Sequence, residues 1–234
     1  MDDGKSFDDS AAILAPAPWQ LQGRGYIAML RFDDEGEQQD RFLPPTLQGR
    51  RSRSPYAWLM FVDYAHSDVG PYHELLFIPG SFPFEDGRKH LSISRIFVSS
   101  QASVDNGRRN WGIPKELAEF EVRYGVQGLD RVKVARGGRV FAELDFKSYP
   151  LPLPFPGGLV PAGLRTLGQH RDGQSFIYAP SASGVLRPAS LRRAWSDAAE
   201  FPHLARARPV LAVAVSRFQM QFPVSRVLPI SLVR

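Results

Sequence analysis

The 234-residue chain contains no cysteine. That absence excludes disulfides, thiolate nucleophiles and cysteine-ligated zinc. No apolar run approaches the roughly 20 residues that span a bilayer, and the longest candidate, residues 211–215, falls far short. Neither a Gly-x-Ser-x-Gly elbow nor a phosphate-binding loop occurs. The opening MDDGKSFDD is acidic where a secretory signal carries basic residues and an apolar block. A soluble, cytoplasmic protein with no membrane partner is the expectation. Lysine is scarce, with five among the 29 basic residues, so the net charge of +5 rests on arginine scattered along the chain. The densest basic stretch, Gln48-Gly49-Arg50-Arg51-Ser52-Arg53, is offset by acids at Asp33, Asp34, Glu35 and Glu37. No nucleic-acid-binding motif accompanies it, and nucleic acid is not expected as a partner.

What is present is mostly β signal. With 43% hydrophobic and 12% aromatic residues the chain can bury one substantial core. We expect a flexible tail over residues 1–12 and a single domain over 13–234. Residues 25–32 read as a first strand, ended by an acidic segment over 33–40. Residues 56–64, YAWLMFVDY, are apolar on both faces, which suits a central strand covered on both sides. Further strands are expected at 73–78 and 91–99. The apolar phase slips within 91–99 and again within 211–222, as a bulge or twist would require. Gly137-Gly138 divides two strand-like runs over 131–146 and can supply the positive φ values of a tight hairpin. The proline-alternating stretch 149–158 reads as an extended internal crossover. One helix is expected over 190–201, capped by Ser190, with Leu191, Trp195 and Ala198 on one face. The content is mostly β (α+β), favouring a curved antiparallel sheet with few short helices.

One lysine stands in an unusual setting. The segment Gly107-Arg108-Arg109-Asn110-Trp111-Gly112-Ile113-Pro114-Lys115-Glu116-Leu117-Ala118-Glu119-Phe120 puts tryptophan, glycine and proline in the four positions before Lys115. A lysine becomes a nucleophile when its amine is neutral, and burial favours that form by penalising the ammonium. This segment resembles the Pro-Lys signature of the acetoacetate decarboxylase-like family, in which the lysine forms a Schiff base with a small keto acid; lysine activation in that enzyme is a standard example of the principle. Gly23-Arg24-Gly25-Tyr26 and Gly70-Pro71-Tyr72-His73-Glu74 are similar to the stretches that carry the family's active-site arginine and glutamate. The three motifs span residues 23–120 and keep the family's order.

The resemblance implies a cone-like barrel, a homo-oligomer and catalysis without metal or other cofactor. It assigns Lys115 as nucleophile, Arg24 as carboxylate anchor and Glu74 as the residue that orients substrate or moves a proton, with Trp111 and Tyr72 beside the substrate. Two positions depart from the pattern. Glu116 stands where the family's decarboxylases carry a second lysine, and Leu59 stands where they carry another acid. If the segment is extended, Glu116 and Lys115 point to opposite faces. The reaction implied is decarboxylation, or aldol condensation and dehydration, of a keto acid or other carbonyl compound. The alternative is a non-catalytic member of the fold that binds a small hydrophobic ligand. His66, His73 and Glu74 do not form a compact metal motif, since alternation separates His73 from Glu74.

Overall fold

Period-two patterning dominates the chain, and the structure converts it into strands. The computed structural model describes residues 13–32, 40–155 and 165–230. The expected tail over 1–12 lies outside them, as do 33–39 and 156–164. Six strands come first: β1 (Trp19–Phe32), β2 (Tyr56–His66), β3 (Tyr72–Ile78), β4 (Gly80–Pro83), β5 (Lys89–Ser92) and β6 (Arg95–Val98). An α-helix, α1 (Gln101–Trp111), follows. Then come β7 (Lys115–Leu117), β8 (Glu119–Val126), β9 (Leu129–Arg136), β10 (Arg139–Ser148) and β11 (Leu153–Phe155). The chain finishes with β12 (Leu167–Arg171), β13 (Gln174–Tyr178), β14 (Ser181–Ser196), β15 (Ala207–Phe222) and β16 (Arg226–Pro229).

The main sheet runs β7-β6-β3-β2-β1-β15-β14-β10-β9-β8, with β11 added beside β14. Its pairings are antiparallel except β6 with β7. The two end strands, β7 and β8, are separated in the chain by Ala118 alone, whose N–H donates to the Val98 carbonyl. The sheet therefore curls into a half-barrel whose ends are linked through the backbone rather than by a ladder. Five shorter strands, in the order β16-β13-β12-β5-β4, form a second sheet.

The main sheet is apolar on both faces, which is why its central strands lack a polar side. On β2, Ala57, Leu59 and Phe61 join a core with Phe77, Phe97 and Phe146. The alternate residues Trp58, Met60 and Val62 pack with a second core around Trp19, Leu76, Ile96 and Trp111, reached also by Leu91 and Leu167 of the small sheet. The expectation of a both-sides-covered strand at 56–64 holds.

Several local expectations hold and others do not. Gly137 and Gly138, at φ 56° and 75°, make the turn between β9 and β10. The slip in the last long strand is a bulge: register shifts opposite residues 216–218, and Arg217 adopts φ 50°. The slip within 91–99 is instead a break, because β5 belongs to the small sheet and β6 to the main one. Strand β1 begins at Trp19, six residues before the expected start. Its Gly23 and Gly25 are strand interior, chosen because a Cβ there would strike the carbonyl oxygens of Asp63 and Phe61 on β2. The crossover includes a short edge strand, β11, paired with β14. The helix expected at 190–201 is absent. Residues 189–196 continue β14 and pair with residues 142–148 of β10, and this ladder overrides the fortuitous spacing of Leu191, Trp195 and Ala198. Ser190 caps nothing; its hydroxyl meets Tyr149 OH at 3.3 Å.

Phe97 is fully buried and touches the rings of Phe141 and Phe201, with centroids 4.6 and 6.4 Å away. Phe97→Ala is expected to destabilise the fold by about 3–5 kcal/mol, read as a lower urea midpoint at unchanged slope.

Candidate active site

The helix missed in the sequence is the element that builds the site. Ser100 caps α1, its side chain accepting from the Ser103 N–H, and Gly112 ends it at φ 64°, its N–H bonding the Arg108 and Gly107 carbonyls. Arg108 and Arg109 in the last turn complement the helix dipole. Ser103, Gly107 and Trp111, spaced by four, form the buried face. Val104 and Trp111 are the hydrophobic members of the buried side and stand apart among Ser103, Asn106 and Gly107, so periodicity alone gave no helix signal. The small residues have another purpose. The Lys115 side chain lies across Gly107, where a Cβ would stand 2.7 Å from Lys115 Cδ and 2.9 Å from Cε.

Lys115 opens β7, paired in parallel with Ile96 of β6, and retains only 4% of its surface exposure. Its Nζ donates to Glu74 Oε2 at 2.8 Å, Ser103 Oγ at 2.9 Å and Tyr72 OH at 3.4 Å. These three acceptors match the three protons of an ammonium group. Tyr64 OH donates to the other Glu74 oxygen, Oε1, at 3.2 Å. The neighbouring rings of Tyr64 and Tyr72 stand 4.6 Å apart. Burial pushes the Lys115 pKa down, as the sequence reading anticipates. Burial is the largest single influence, but the charges and hydrogen bonds of Glu74 and Tyr72 together outweigh it, and the net shift is upward. The free protein therefore holds this lysine as an ammonium ion. Burial, partly relieved by Lys115, pushes Tyr72 up to about 12, so Tyr72 is a neutral phenol at physiological pH.

The pair occupies one side of a cavity of about 560 Å³ between the main sheet, the end of α1 and the small sheet. Trp111 lines it, donating its indole N–H to the Pro223 carbonyl at 2.6 Å and meeting Trp19 edge-on at 5.0 Å. Trp58, Met60, Phe218 and Phe222 are among the other lining residues. Lys115, Glu74 and Arg165 are its charged members. Arg165 was not singled out from the sequence, since no motif surrounds it; its guanidinium bonds the carbonyls of Ala179 and Pro180 at 2.9 and 2.6 Å.

The structure thus brings together Lys115, Glu74, Tyr72 and Trp111 of the residues named from sequence, and it does not bring Arg24 to them. The Arg24 side chain is 51% exposed, bonds Asp63 Oδ2 at 3.1 Å and lies 3.3 Å over the Tyr124 ring centroid. Asp63 belongs to the opposite face of β2 from Tyr64, and His73, the neighbour of Glu74, points the same way, 3.5 Å from Asp63. The family acid's counterpart, Leu59, is fully buried in the other core, away from Lys115. Glu116 also turns away from Lys115, as extended backbone requires, and is held by Arg95 and Arg136. Among the described residues no three His, Asp or Glu side chains gather as metal ligands. No helix among them is long and apolar enough to cross a membrane.

Two outcomes follow from the buried pair. Glu74→Leu leaves the ammonium unpartnered and is expected to cost about 3–5 kcal/mol, whereas Glu74→Leu with Lys115→Met is expected to be neutral or stabilising, by urea denaturation. The folded pKa of Lys115 exceeds its usual 10.5, so the stability it contributes is fully present below about pH 10.5 and lost as pH climbs through the raised value. The midpoint difference between the natural chain and the double variant should hold steady upward from neutrality and shift only above that point.

The sequence profile of the acetoacetate decarboxylase family matches residues 8–199. None of the curated proteins matches the chain in sequence. Solved structures do match in fold. A crystal structure of acetoacetate decarboxylase from Legionella pneumophila superposes with TM-score 0.66 at 16% identity, covering 92% of this chain and 89% of that one. The enduracididine biosynthesis enzyme MppR complexed with pyruvate gives 0.61 at 16% identity, covering 93% and 92%. An acetoacetate decarboxylase-like enzyme from Sphingomonas wittichii gives 0.67 at 11% identity, covering 96% and 98%. With most of its length matched by the family's profile, the chain belongs to the acetoacetate decarboxylase family.

Proposed function

We propose that the protein is a lysine Schiff-base enzyme acting on a keto acid or other carbonyl compound, with Lys115 as nucleophile. The observation that carries this is an amine buried at the side of an apolar cavity with a carboxylate 2.8 Å away. Membership of the acetoacetate decarboxylase family supports it, as does the likeness in fold to MppR, an enzyme solved in complex with pyruvate.

The chemistry requires the ammonium to lose a proton, and Glu74 Oε2 lies within the 2.6–3.2 Å reach of a general base. Transfer leaves a neutral amine beside a neutral carboxylic acid, so no isolated charge is stranded in the apolar cavity. The hydroxyls of Ser103 and Tyr72 go on accepting the two N–H groups of the free amine, whose lone pair faces the proton now on Glu74, which satisfies the nitrogen in both states. The amine then adds to the carbonyl carbon, and loss of water, with the proton returned by Glu74, gives a protonated imine. That imine withdraws the electron pair of the bond broken next, whether to a carboxylate or to an α-proton. Arg165 takes the role first sought in Arg24, a two-pronged cation facing the substrate's carboxylate.

A second reading, a non-catalytic protein holding an apolar ligand, is favoured by the raised Lys115 pKa and the scarcity of polar groups in the lining. Borohydride reduction separates the two. Incubation with a panel of keto acids followed by reduction should leave an adduct on Lys115, located by mass spectrometry, and none on Lys115→Met. Glu74→Gln should slow its formation by about 10²–10⁴-fold, while Arg24→Gln should not slow it. Arg165→Gln should raise the half-saturating concentration of acids about tenfold or more and leave neutral ketones unaffected. Absence of any adduct across the panel at several pH values would turn the assignment to the ligand-binding reading.

A further inference from the structure

The reading of Lys115 as a Schiff-base nucleophile leaves open what else the substrate carries, and the cavity's shape addresses that. Glu74 on β3 stands opposite Val62 of β2, Val62 opposite Gly25 of β1, Gly25 opposite Val215 of β15, and Val215 opposite Leu186 of β14. All five residues line the cavity. One cross-strand row therefore begins at the partner of the lysine and continues over four apolar or side-chain-free positions. Five strands spaced by about 4.8 Å give it a length of about 19 Å along the sheet.

The next row repeats the arrangement, with Leu76, Met60, Ile27 and Val213 in register and all in the lining. Gly25 contributes to the track because no side chain fits there: a Cβ would collide with the Phe61 carbonyl. Lys115 and Glu74 are thus placed at one end of an apolar track, not at its centre.

A three- or four-carbon keto acid is about 5 Å long, with C–C bonds of about 1.5 Å. It covers the beginning of the track and leaves the remainder of a 560 Å³ cavity to water against apolar walls. A volume of this size falls in the range of about 300–1,000 Å³ that encloses drug-sized ligands. We infer that the substrate of this site is a carbonyl compound with a large apolar body, a long acyl chain or an aromatic group, whose carbonyl meets Lys115 while the body lies across β2, β1 and β15. This rests on the Schiff-base reading for the placement of the carbonyl, whereas the apolar body rests on the cavity alone.

Two measurements keep the inferences apart. A homologous series of straight-chain 2-keto acids from pyruvate to 2-oxododecanoate, with phenylpyruvate alongside, is incubated with the protein, reduced with borohydride and assayed for adduct on Lys115. The half-saturating concentration should fall about fourfold for each added methylene, the value of about 0.8 kcal/mol per buried CH₂, until the track is filled. In parallel, non-covalent affinity of Lys115→Met for fatty alcohols of the same lengths is followed by tryptophan fluorescence, and it should rise with length in the same way. Trapping on Lys115 with no length dependence in either series overturns the large-substrate inference and leaves the Schiff-base reading standing. Length-dependent affinity without any trapping overturns the Schiff-base reading and leaves the apolar-body inference standing. No trapping and no length dependence overturns both.

Discussion

The site depends on one buried ion pair and on what the protein had to do to bury it. Removing an ammonium and a carboxylate from water costs several kcal/mol each, and the attraction between them repays this only with good geometry and full hydrogen bonding. Here Ser103, Tyr72 and Tyr64 supply the remaining bonds. Gly107 supplies the empty volume that lets the lysine stem reach its partner. That glycine sits mid-helix, where it costs about 1 kcal/mol relative to alanine. The helix thus gives up local stability to make room for a side chain of another element.

The same pair resolves a tension between two ways of activating a lysine. Burial alone favours a neutral amine, because it penalises the ammonium form. Pairing with Glu74 instead favours the charged amine, with a carboxylate oxygen 2.8 Å away. The proton need move only across one hydrogen bond. The cost of separating charge in an apolar surrounding is thereby avoided, since transfer within the pair neutralises both partners.

The sequence was most legible where chemistry and strand pattern coincide. The Pro-Lys segment, the glutamate two residues after Tyr72, and the alternating strands of the main sheet were all readable, as was the Gly137-Gly138 turn. Glu116 could be set aside from the geometry of an extended chain. What escaped detection did so for physical reasons. The buried face of α1 mixes Val104 and Trp111 with Ser103, Asn106 and the Gly107 that receives the lysine stem, so its apolar stripe is interrupted. The false helix at 190–201 had helical spacing but lay opposite a strand able to pair with it. Arg24 sits in the family's stretch, yet strand alternation sets it beside its cross-strand partner Asp63, whose carboxylate holds it away from Lys115. Arg165 carried no local signal, because its role is defined by the carbonyls of Ala179 and Pro180.

The link through Ala118 has a consequence for when the setting of Lys115 arises. Lys115 starts the strand at one end of the curled sheet, and four residues later the chain becomes the strand at the other end. Its polar neighbours are drawn from positions 12, 41 and 43 residues away. In an open sheet this residue is an ordinary solvated lysine. It acquires its buried, hydrogen-bonded environment only when distant segments have docked, so the setting of this amine is a property of the completed fold and of no local stretch of chain.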